Sequence, residues 1–298
     1  MRHYEHCPIC SEKNRKIIYA GTINFEKVND AIKNPYGSHY QINLCSGCEL
    51  LYSDPILDED QIELLYLDAE STNITAGEEG NVRETMRLYY QFFSPYLKNR
   101  EAILDVGCDV GLLLEFAKED RFSNLYGIEP NPVARKIANS KINATITDEF
   151  YEKDRYEKNY FDAITFVHVV DHVINPAKVI ESAYEHLKPD GIAFVVVHNS
   201  NSILAKIMGE KFPPFNLYHH FFFTKESLRN LFESRGFEVL KVSPTKNCYS
   251  INFFIERFPG FPGKFKKILK NIANQLRIGK IPLTFSVGNI GIVARKKS

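Results

Sequence analysis

The chain has 298 residues, enough for one large domain and a smaller one. Its 37 Lys and Arg residues balance its 37 Asp and Glu residues, which argues against a general nucleic-acid binder because such proteins carry a basic surplus. No apolar run reaches the ~18 residues that a membrane span needs, and the polar first residues lack the pattern of a secretory signal. We therefore expect a cytoplasmic protein with no nucleic-acid partner.

Two CxxC pairs stand near the N-terminus, and they predict a zinc site. Cys7 and Cys10 form the first pair, and Cys45 and Cys48 form the second. Four thiolates complete a tetrahedral zinc shell, with two sulfurs from each CxxC turn. The spacer, residues 11–44, exceeds the usual length, and a hairpin from 17–24 and 40–44 would fill it. Neither pair opens a helix after a strand, so zinc is favoured over redox chemistry or free thiols.

The stretch after these pairs predicts a domain boundary. Residues 68–82 are polar and contain glycine, so 56–82 is interpreted as a linker or lid between a zinc-ribbon-like domain at 1–55 and a larger domain at 83–298. A helix is predicted over 83–97 because its aromatic residues recur at helical spacing. This helix either packs on a sheet or places Tyr or Arg side chains over a cofactor.

The sequence ILDVGCDVGLLLEFA, residues 103–117, predicts a buried strand, a glycine turn and a helix. Such a turn lets backbone approach a ligand, and the N-terminus of a helix receives negative charge. A dinucleotide fingerprint, G-x-G-x-x-G, is excluded because Asp109 and Leu112 stand where glycines are required. The alternative pattern, D-x-G-x-G-x-G, fits Asp105, Gly107 and Gly111, with Asp109 in place of the middle glycine.

Polar residues follow the next predicted strands in the positions that line a ligand crevice. Strands at 125–128 and 144–147 lead into Glu129 and Asp148. In an open parallel sheet the ligand lies outside the carboxyl ends of the strands, and an acidic residue there binds ribose hydroxyls. Asp148 has the simpler alternative of capping a helix. A strand at 161–167 leads into a histidine-rich segment, and one at 192–197 follows the turn LKPDG.

Five phrases occur in the order found in class I S-adenosylmethionine (SAM) methyltransferases: LDVGC, GIEPNP, FDAITFVHVVDHVINP, LKPDG and TKESLRNLFESRGFEV. The chain resembles this family over roughly residues 80–298, and the resemblance implies an α/β fold with a Rossmann-like seven-stranded sheet. It also implies these cofactor contacts: Asp105 near the methionine end of SAM, Gly107 and Gly111 for close backbone passage, Glu129 on the ribose hydroxyls, Asp148 on the adenine amino group, and His168 at the cofactor edge. Asp109 either contacts the methionine ammonium or crowds the site.

Histidines are the candidates for the acceptor side. His168, His172 and His219 are interpreted as possible general bases, because an unperturbed imidazole titrates near neutral pH. His219 matches best the histidine that the family commonly shows before a Phe-Thr step, and it lies in a long insertion at 198–224 that we expect to shape the substrate site. The HxxDH spacing at 168–172 suggests a metal, but the sequence offers no evident third ligand, so packing or a cofactor-edge role is favoured there, with substrate contact or a base as the alternative.

Residues 264–280 predict a basic amphipathic helix. Apolar residues share one face, and six Lys and Arg residues surround them with no acid among them. The helix is either an ordinary solvated surface element or a weak contact for an anionic membrane or a lipid-linked substrate. Strands at 237–242 and 287–294 would complete the sheet.

We therefore expect a SAM-dependent methyltransferase that acts on a small molecule. The N-terminal module resembles zinc ribbons that precede methyltransferase domains in some bacterial sugar-modifying enzymes, so the favoured acceptor is a nucleotide-linked sugar or a surface-polysaccharide precursor. Another metabolite or a lipid precursor is the alternative within the same reaction class. A different class, favoured by Asp109, is a non-catalytic SAM-binding protein whose zinc module docks a partner.

Overall fold

The computed structural model describes residues 1–24, 38–62, 77–257, 261–286 and 288–297. The described strands, in chain order, are β1 Arg15–Tyr19, β2 Ile42–Cys45, β3 Leu51–Ser53, β4 Ala102–Val106, β5 Asn124–Ile128, β6 Thr145–Thr147, β7 Phe161–Val167, β8 Leu187–His198, β9 Phe221–Phe222, β10 Phe237–Pro244, β11 Asn247–Ser250, β12 Pro282–Phe285 and β13 Asn289–Lys296. The α-helices whose bounds lie within the described residues are α1 Glu79–Phe93, α2 Leu112–Glu119, α3 Pro132–Lys141, α4 Pro176–His186, α5 Ile203–Met208, α6 Lys225–Glu233, α7 Ile251–Arg257 and α8 Gly263–Gln275.

Seven strands form the main sheet in the order β10-β13-β8-β7-β4-β5-β6. The five strands from β8 to β6 are parallel, whereas β13 runs antiparallel to both of its neighbours. Strand β4 is buried along its whole length, as expected for a parallel strand covered on both faces. The predicted α/β fold with a seven-stranded Rossmann-like sheet is therefore confirmed. Because β4, β5, β7 and β8 are parallel, the residues that follow them meet at one edge.

Helix α1 begins earlier than the sequence predicts. It spans Glu79–Phe93 and not 83–97, so residues 79–82 of the predicted linker are its first turn. The reason lies in Glu78, whose carboxylate accepts hydrogen bonds from the Ser250 hydroxyl and backbone and from Asn81. A polar stretch that reads as a linker thus anchors the helix to β11. Most of the remaining lid prediction, 63–76, lies outside the described residues.

A second sheet joins the N-terminal module to the large domain. Its order is β1-β2-β3-β9, all antiparallel, and β9 comes from the insertion at 198–224. Leu51 pairs with Phe222 and Tyr52 with Phe221. The sequence predicts the β1–β2 hairpin at 17–24 and 40–44, whereas its first strand lies earlier, at Arg15–Tyr19, and β9 is an unpredicted fourth strand of this sheet. The insertion therefore carries both a strand of the module's sheet and the residues next to the large sheet's edge.

A two-stranded sheet, β11 with β12, lies beside α1 and carries α7 and α8 between its strands. The sequence predicts α8 but neither of these strands. Helix α8 exposes three large apolar side chains to solvent: Phe265, Ile268 and Ile272. Among the described helices, none combines the length and the apolar character that crossing a membrane requires.

Candidate functional site

Three acidic side chains lie close together where β4 and β5 end. Asp105 is buried in β4, and its carboxylate accepts a hydrogen bond of 2.6 Å from the Thr165 hydroxyl on β7. Burial raises the pKa of Asp105 to about 7, and the negative charges of Glu129 and Asp109 add to this rise. Like charges near one another disfavour the ionised form of Asp105, and a bound cation would reverse that effect.

The turn between β4 and α2 requires glycine for two separate reasons. Gly107 and Gly111 have φ values of +72° and +81°, in the left-handed region. A Cβ atom at Gly107 would lie 2.6 Å from Val169, and one at Gly111 would lie 2.4 Å from Ile142. Asp109 also has a positive φ, of 48°, which is uncommon for a residue with a side chain. The positive φ explains why the family pattern has a glycine at position 109, and it shows that the Asp109 backbone is held in a less favourable conformation.

Glu129 is fixed by the backbone on both sides. Its two carboxylate oxygens accept hydrogen bonds of 2.8 Å from the amides of Asp109 and Asn131. Burial raises the pKa of Glu129, and these two amide donors oppose that rise. Each oxygen has a further lone pair, so the carboxylate is held in place and retains the capacity to accept hydrogen bonds from a ligand.

Asp148 stands apart from this acidic group. Its side chain is 63% exposed and forms an ion pair of 3.1 Å with Arg135. The Arg135 guanidinium also donates to the backbone carbonyls of Glu129 and Pro130. The structure thus links Asp148 to the segment after β5 through Arg135 and does not place it in the buried group of Asp105 and Glu129.

Four histidine rings form a chain of ring–ring contacts beyond the ends of β7 and β8. The ring centroids of His168 and His198 are 4.6 Å apart, those of His198 and His219 are 4.9 Å apart, and those of His219 and His172 are 4.2 Å apart. The three histidines predicted from the sequence are therefore brought together. His198, the last residue of β8, was missed, although its position at a strand end was a usable signal.

Side-chain amides orient two of these rings. His198 Nδ1 lies 2.9 Å from Asn289 Oδ1, and Asn289 stands opposite His198 in the β8–β13 register. His219 Nδ1 lies 3.0 Å from Asn216 Oδ1 within the insertion. Burial lowers the pKa of His172 to about 3 and of His198 to about 4, and it also lowers the pKa of His219 and His168. At neutral pH these rings are uncharged.

Asp171 is a fully buried carboxylate at the centre of this group. It forms a cluster of possible metal ligands with His172 and His219, and a second one with His168 and His198. The sequence argument against a metal at HxxDH was that a third ligand was not evident. The structure corrects that argument, because the insertion and β8 each supply a further ring. Such ligands come from distant parts of the chain, which local spacing does not reveal.

His220 faces away from this cluster. It is completely buried, its Nδ1 lies 3.4 Å from the Val173 carbonyl, and its ring lies against Tyr40 of the N-terminal module. His219 and His220 therefore occupy different surroundings although they are adjacent in the chain.

The four N-terminal cysteines converge as the sequence predicts. Their sulfurs all lie within 4.8 Å of one another, with Cys7 to Cys48 at 3.6 Å and Cys10 to Cys45 at 3.5 Å. None of the chain's six cysteines, all of them in described segments, forms a disulfide. A hydrogen bond from Cys48 lowers the pKa of Cys7 below its ordinary value. Sulfurs bound to one zinc at about 2.3 Å lie about 3.8 Å apart, so these residues fit a tetrahedral zinc ion.

Comparison with known proteins identifies the large domain. A protein family described as "Methyltransferase domain" matches residues 79–242. The ubiquinone biosynthesis O-methyltransferase of Actinobacillus pleuropneumoniae serotype 7 is 36% identical over 102 residues, which cover 31% of this chain and 43% of that protein. The enzyme of the same name from Yersinia enterocolitica is 33% identical over 121 residues, or 37% of this chain and 48% of that protein. The chain thus matches less than half the length of these two relatives.

Solved structures agree with this fold. A Bacillus halodurans protein superposes with a TM-score of 0.52 at 17% identity, covering 72% of this chain and 99% of that one. The YcgJ protein of Bacillus subtilis superposes with a TM-score of 0.51 at 16% identity, covering 72% and 99% of the two chains. At these identities the likeness concerns the fold alone.

Proposed function

The chain belongs to the methyltransferase domain family, and from this premise we propose that it transfers a methyl group from SAM to a small-molecule acceptor at the edge where β4, β5, β7 and β8 end. The observation that carries the proposal is the acidic group of Asp105, Asp109 and Glu129 beside the glycine turn. SAM bears a positive sulfonium and an ammonium, so a cluster of carboxylates favours its binding.

Each SAM contact is assigned from the family pattern, and the positions of Asp105 and Glu129 at the ends of β4 and β5 support their assignments. Asp105 would lie near the methionine end, with the turn at Gly107 and Gly111 passing close to the cofactor. Glu129, held by two amides, would accept the ribose hydroxyls. Asp109 would add its charge near the ammonium. Asp148 would reach the adenine amino group only by leaving its ion pair with Arg135, so it is the weaker assignment. His168 would line the cofactor edge.

The histidine cluster supplies the acceptor side of the proposed reaction. The sulfonium of SAM needs little activation, so the protein mainly aligns the donor, the methyl group and the acceptor. His219, His172 and His168 are the residues proposed to face the acceptor, and the insertion would help to exclude water around them. Because burial lowers the pKa of these rings, a neutral imidazole there accepts a proton weakly on its own.

The class of acceptor is proposed at two levels. We propose a small molecule with a methylatable hydroxyl, since the curated relatives are named O-methyltransferases of ubiquinone biosynthesis. The narrower expectation of a nucleotide-linked sugar rests on the zinc-ribbon resemblance, and the comparisons give it no support. A phenolic metabolite is the second candidate, favoured by those relatives' names. A non-catalytic SAM-binding protein is the alternative from a different class.

Two features outside the sheet edge extend the proposal. The four cysteines are proposed to hold one structural zinc ion, supported by the spacing of their sulfurs. Helix α8 is proposed to touch an anionic membrane surface, supported by its exposed apolar residues and by a basic segment that contains no acid. Such a contact would bring the enzyme to an acceptor with a lipid tail or a lipid-linked phosphate.

The experiment that tests the proposed reaction is an acceptor screen with SAM labelled in its methyl group. The purified chain is incubated with phenols, nucleotide-linked sugars and a small-molecule extract, and label is followed into products by chromatography. We expect label in one acceptor class and formation of S-adenosylhomocysteine in equal amount. SAM binding without acceptor-dependent label in any class would favour the non-catalytic alternative.

A further inference from the structure

We infer that Asp171, His172 and His219 form a binding site for one divalent transition-metal ion. The inference rests on the proposed function in taking this edge as the acceptor side, and its own evidence is the arrangement of donor atoms. One ligating atom from each residue lies within 4.8 Å of the other two. Atoms bound at about 2.0–2.2 Å to one ion lie about 3–3.5 Å apart. If the three side chains move toward one another by on the order of 1 Å, their ligating atoms reach the spacing that one metal ion requires.

The Asp171 carboxylate is the residue that most requires a cation. It is fully buried, and neither oxygen makes a hydrogen bond of regular geometry among the described residues, although the backbone amides of Asp171 and His198 lie near enough to favour its charged form. The nearest ring nitrogens are His172 Nε2, 3.8 Å from Oδ1, and His219 Nε2, 4.0 Å from Oδ2. Burying a carboxylate without donors is costly. A cation placed between these three groups would compensate for that cost, because it binds all of them at once.

The hydrogen bonds of His219 fix which of its nitrogens carries the lone pair. Asn216 donates its amide to the Pro213 carbonyl, and its oxygen accepts from the Tyr218 amide. This oxygen therefore also accepts from His219 Nδ1, which must carry the proton. The His219 Nε2 lone pair then faces the Asp171 carboxylate, with Nε2 4.0 Å from Oδ2. Metal-ligating histidines are typically held in this way through their other nitrogen.

His198 repeats this arrangement on the other side of Asp171. Its Nδ1 donates to Asn289 Oδ1, because the Asn289 amide nitrogen lies beside the hydroxyl of Tyr89 and the oxygen of Asn247. The His198 Nε2 is thus the free nitrogen of that ring, and His198 belongs to the second cluster around Asp171. The metal site consequently has a further imidazole beside its three ligands.

The ligand types select the class of metal. Two imidazoles and one carboxylate suit Fe²⁺, Co²⁺ and Zn²⁺, whereas Mg²⁺ and Ca²⁺ prefer oxygen ligands alone. Three protein ligands leave coordination positions open, as in catalytic rather than structural metal sites. An acceptor hydroxyl that binds such an ion is oriented and becomes more acidic. In that state His219 is a metal ligand and not the base.

The test is a titration of Co²⁺ into the full chain purified with zinc at the four cysteines. We expect one equivalent of Co²⁺ to bind, with absorption bands that lack a thiolate charge-transfer component. Asp171→Asn and His219→Asn should each weaken Co²⁺ binding by at least about tenfold, since even partners of metal ligands contribute that much. His220→Asn is the matched control, because it removes an adjacent buried ring outside both clusters and should leave the affinity unchanged.

SAM is titrated into the same samples, so that a failure of this site is distinguished from a failure of the proposed function. Retained SAM binding with no bound Co²⁺, or with Co²⁺ bound only with thiolate bands, overturns the metal site and leaves the methyltransferase proposal standing. Equal loss of Co²⁺ affinity in His220→Asn also overturns it. Should Asp171→Asn fold poorly by circular dichroism, His219→Asn decides the outcome by itself, because it leaves the carboxylate in place.

Discussion

At the scale of single residues, Asp109 is the position where this chain departs most clearly from its family pattern. Its backbone has a φ of 48°, where glycine is favoured, so Asp109→Gly should relieve strain and raise stability by up to about 1 kcal/mol. The same change removes a carboxylate from the acidic group. We predict that SAM binding weakens by about threefold to tenfold while the melting temperature stays equal or rises, as measured by calorimetry and thermal unfolding.

Asp109→Asn is the matched variant for this prediction, because it keeps a side chain of similar size and removes only the charge. It should weaken SAM binding to a similar extent. Tighter SAM binding in Asp109→Gly but not in Asp109→Asn would instead mean that the side chain crowds the site.

Asp105 makes SAM binding depend on pH. Burial raises its pKa to about 7, so below this pH the group is largely protonated and neutral in the free protein. A cationic ligand favours the carboxylate form, so binding releases a proton and affinity should increase by about tenfold between pH 6 and pH 8. Calorimetry across this range measures the effect. In Asp105→Asn the dependence should flatten, whereas titration of SAM itself affects both proteins equally. An identical slope in the two proteins would exclude Asp105 as the titrating group.

The sequence predicts the acidic residues at the ends of β4 and β5 well, but it does not predict the contacts around Asp171 or the position of Asp148. Asp105 and Glu129 were predictable because each follows a strongly apolar run and marks a strand end. His198 and Asp171 were not identified as partners, because their proximity depends on the insertion folding back over the sheet. Asp148 also follows a strand, but it forms an exposed ion pair with Arg135 of α3. A strand pattern alone does not predict this pairing, because Arg135 belongs to a helix.

At the scale of elements, the sheet shared by the cysteine module and the insertion should let bound zinc stabilise the insertion. Strand β9 pairs with β3 of the cysteine module, and Arg235, just after α6, donates to the Ile9 carbonyl between Cys7 and Cys10. We predict that the chain binds one zinc through its cysteines and that removing it lowers the melting temperature. Hydrogen exchange should also accelerate at Phe221 and Phe222, although neither residue is near a cysteine in the sequence.

Elemental analysis of a His219→Asn protein isolates this zinc from any ion at the histidine cluster. Cys10→Ser should lose the zinc, and Cys248→Ala, which removes a buried thiol elsewhere, should retain it. Absence of stoichiometric zinc under reducing conditions, or a disulfide among the four cysteines, would contradict this prediction.

Helix α8 is predicted to bind anionic vesicles and not zwitterionic ones. Phe265, Ile268 and Ile272 are 44%, 54% and 47% exposed, and the sequence interleaves them with basic residues. Each basic residue near an anionic surface contributes about 1 kcal/mol, so reversing Lys264 and Lys267 to Glu should weaken vesicle binding by at least about tenfold. Co-sedimentation at low salt measures this. Reversing Lys118 and Lys141, which are exposed elsewhere, is the control, and an equal loss there would mean that only overall charge matters.

At the scale of the whole molecule, the large sheet was predictable and its additions were not. Parallel strands buried on both faces are continuous apolar runs, and their order in the chain specified seven strands. The pair β11–β12 and the pairing of β9 with β3 involve short strands far apart in sequence, where pairing is decided by tertiary contacts. The start of α1 at Glu79 was missed for the same reason, since Glu78 is anchored by Ser250, far along the chain.

The central claim is that the acidic edge of this sheet binds SAM, and a calorimetric titration of SAM into the full chain tests it most directly. We predict a single site per chain. Glu129→Ala should weaken it at least about tenfold, because a carboxylate that accepts ribose hydroxyls makes charge-assisted hydrogen bonds of about 1.5–3 kcal/mol each. Glu157→Ala, an exposed acid away from the site, should bind SAM as the unaltered chain does. No measurable SAM binding, or equal affinity in Glu129→Ala with the fold intact, would contradict the claim.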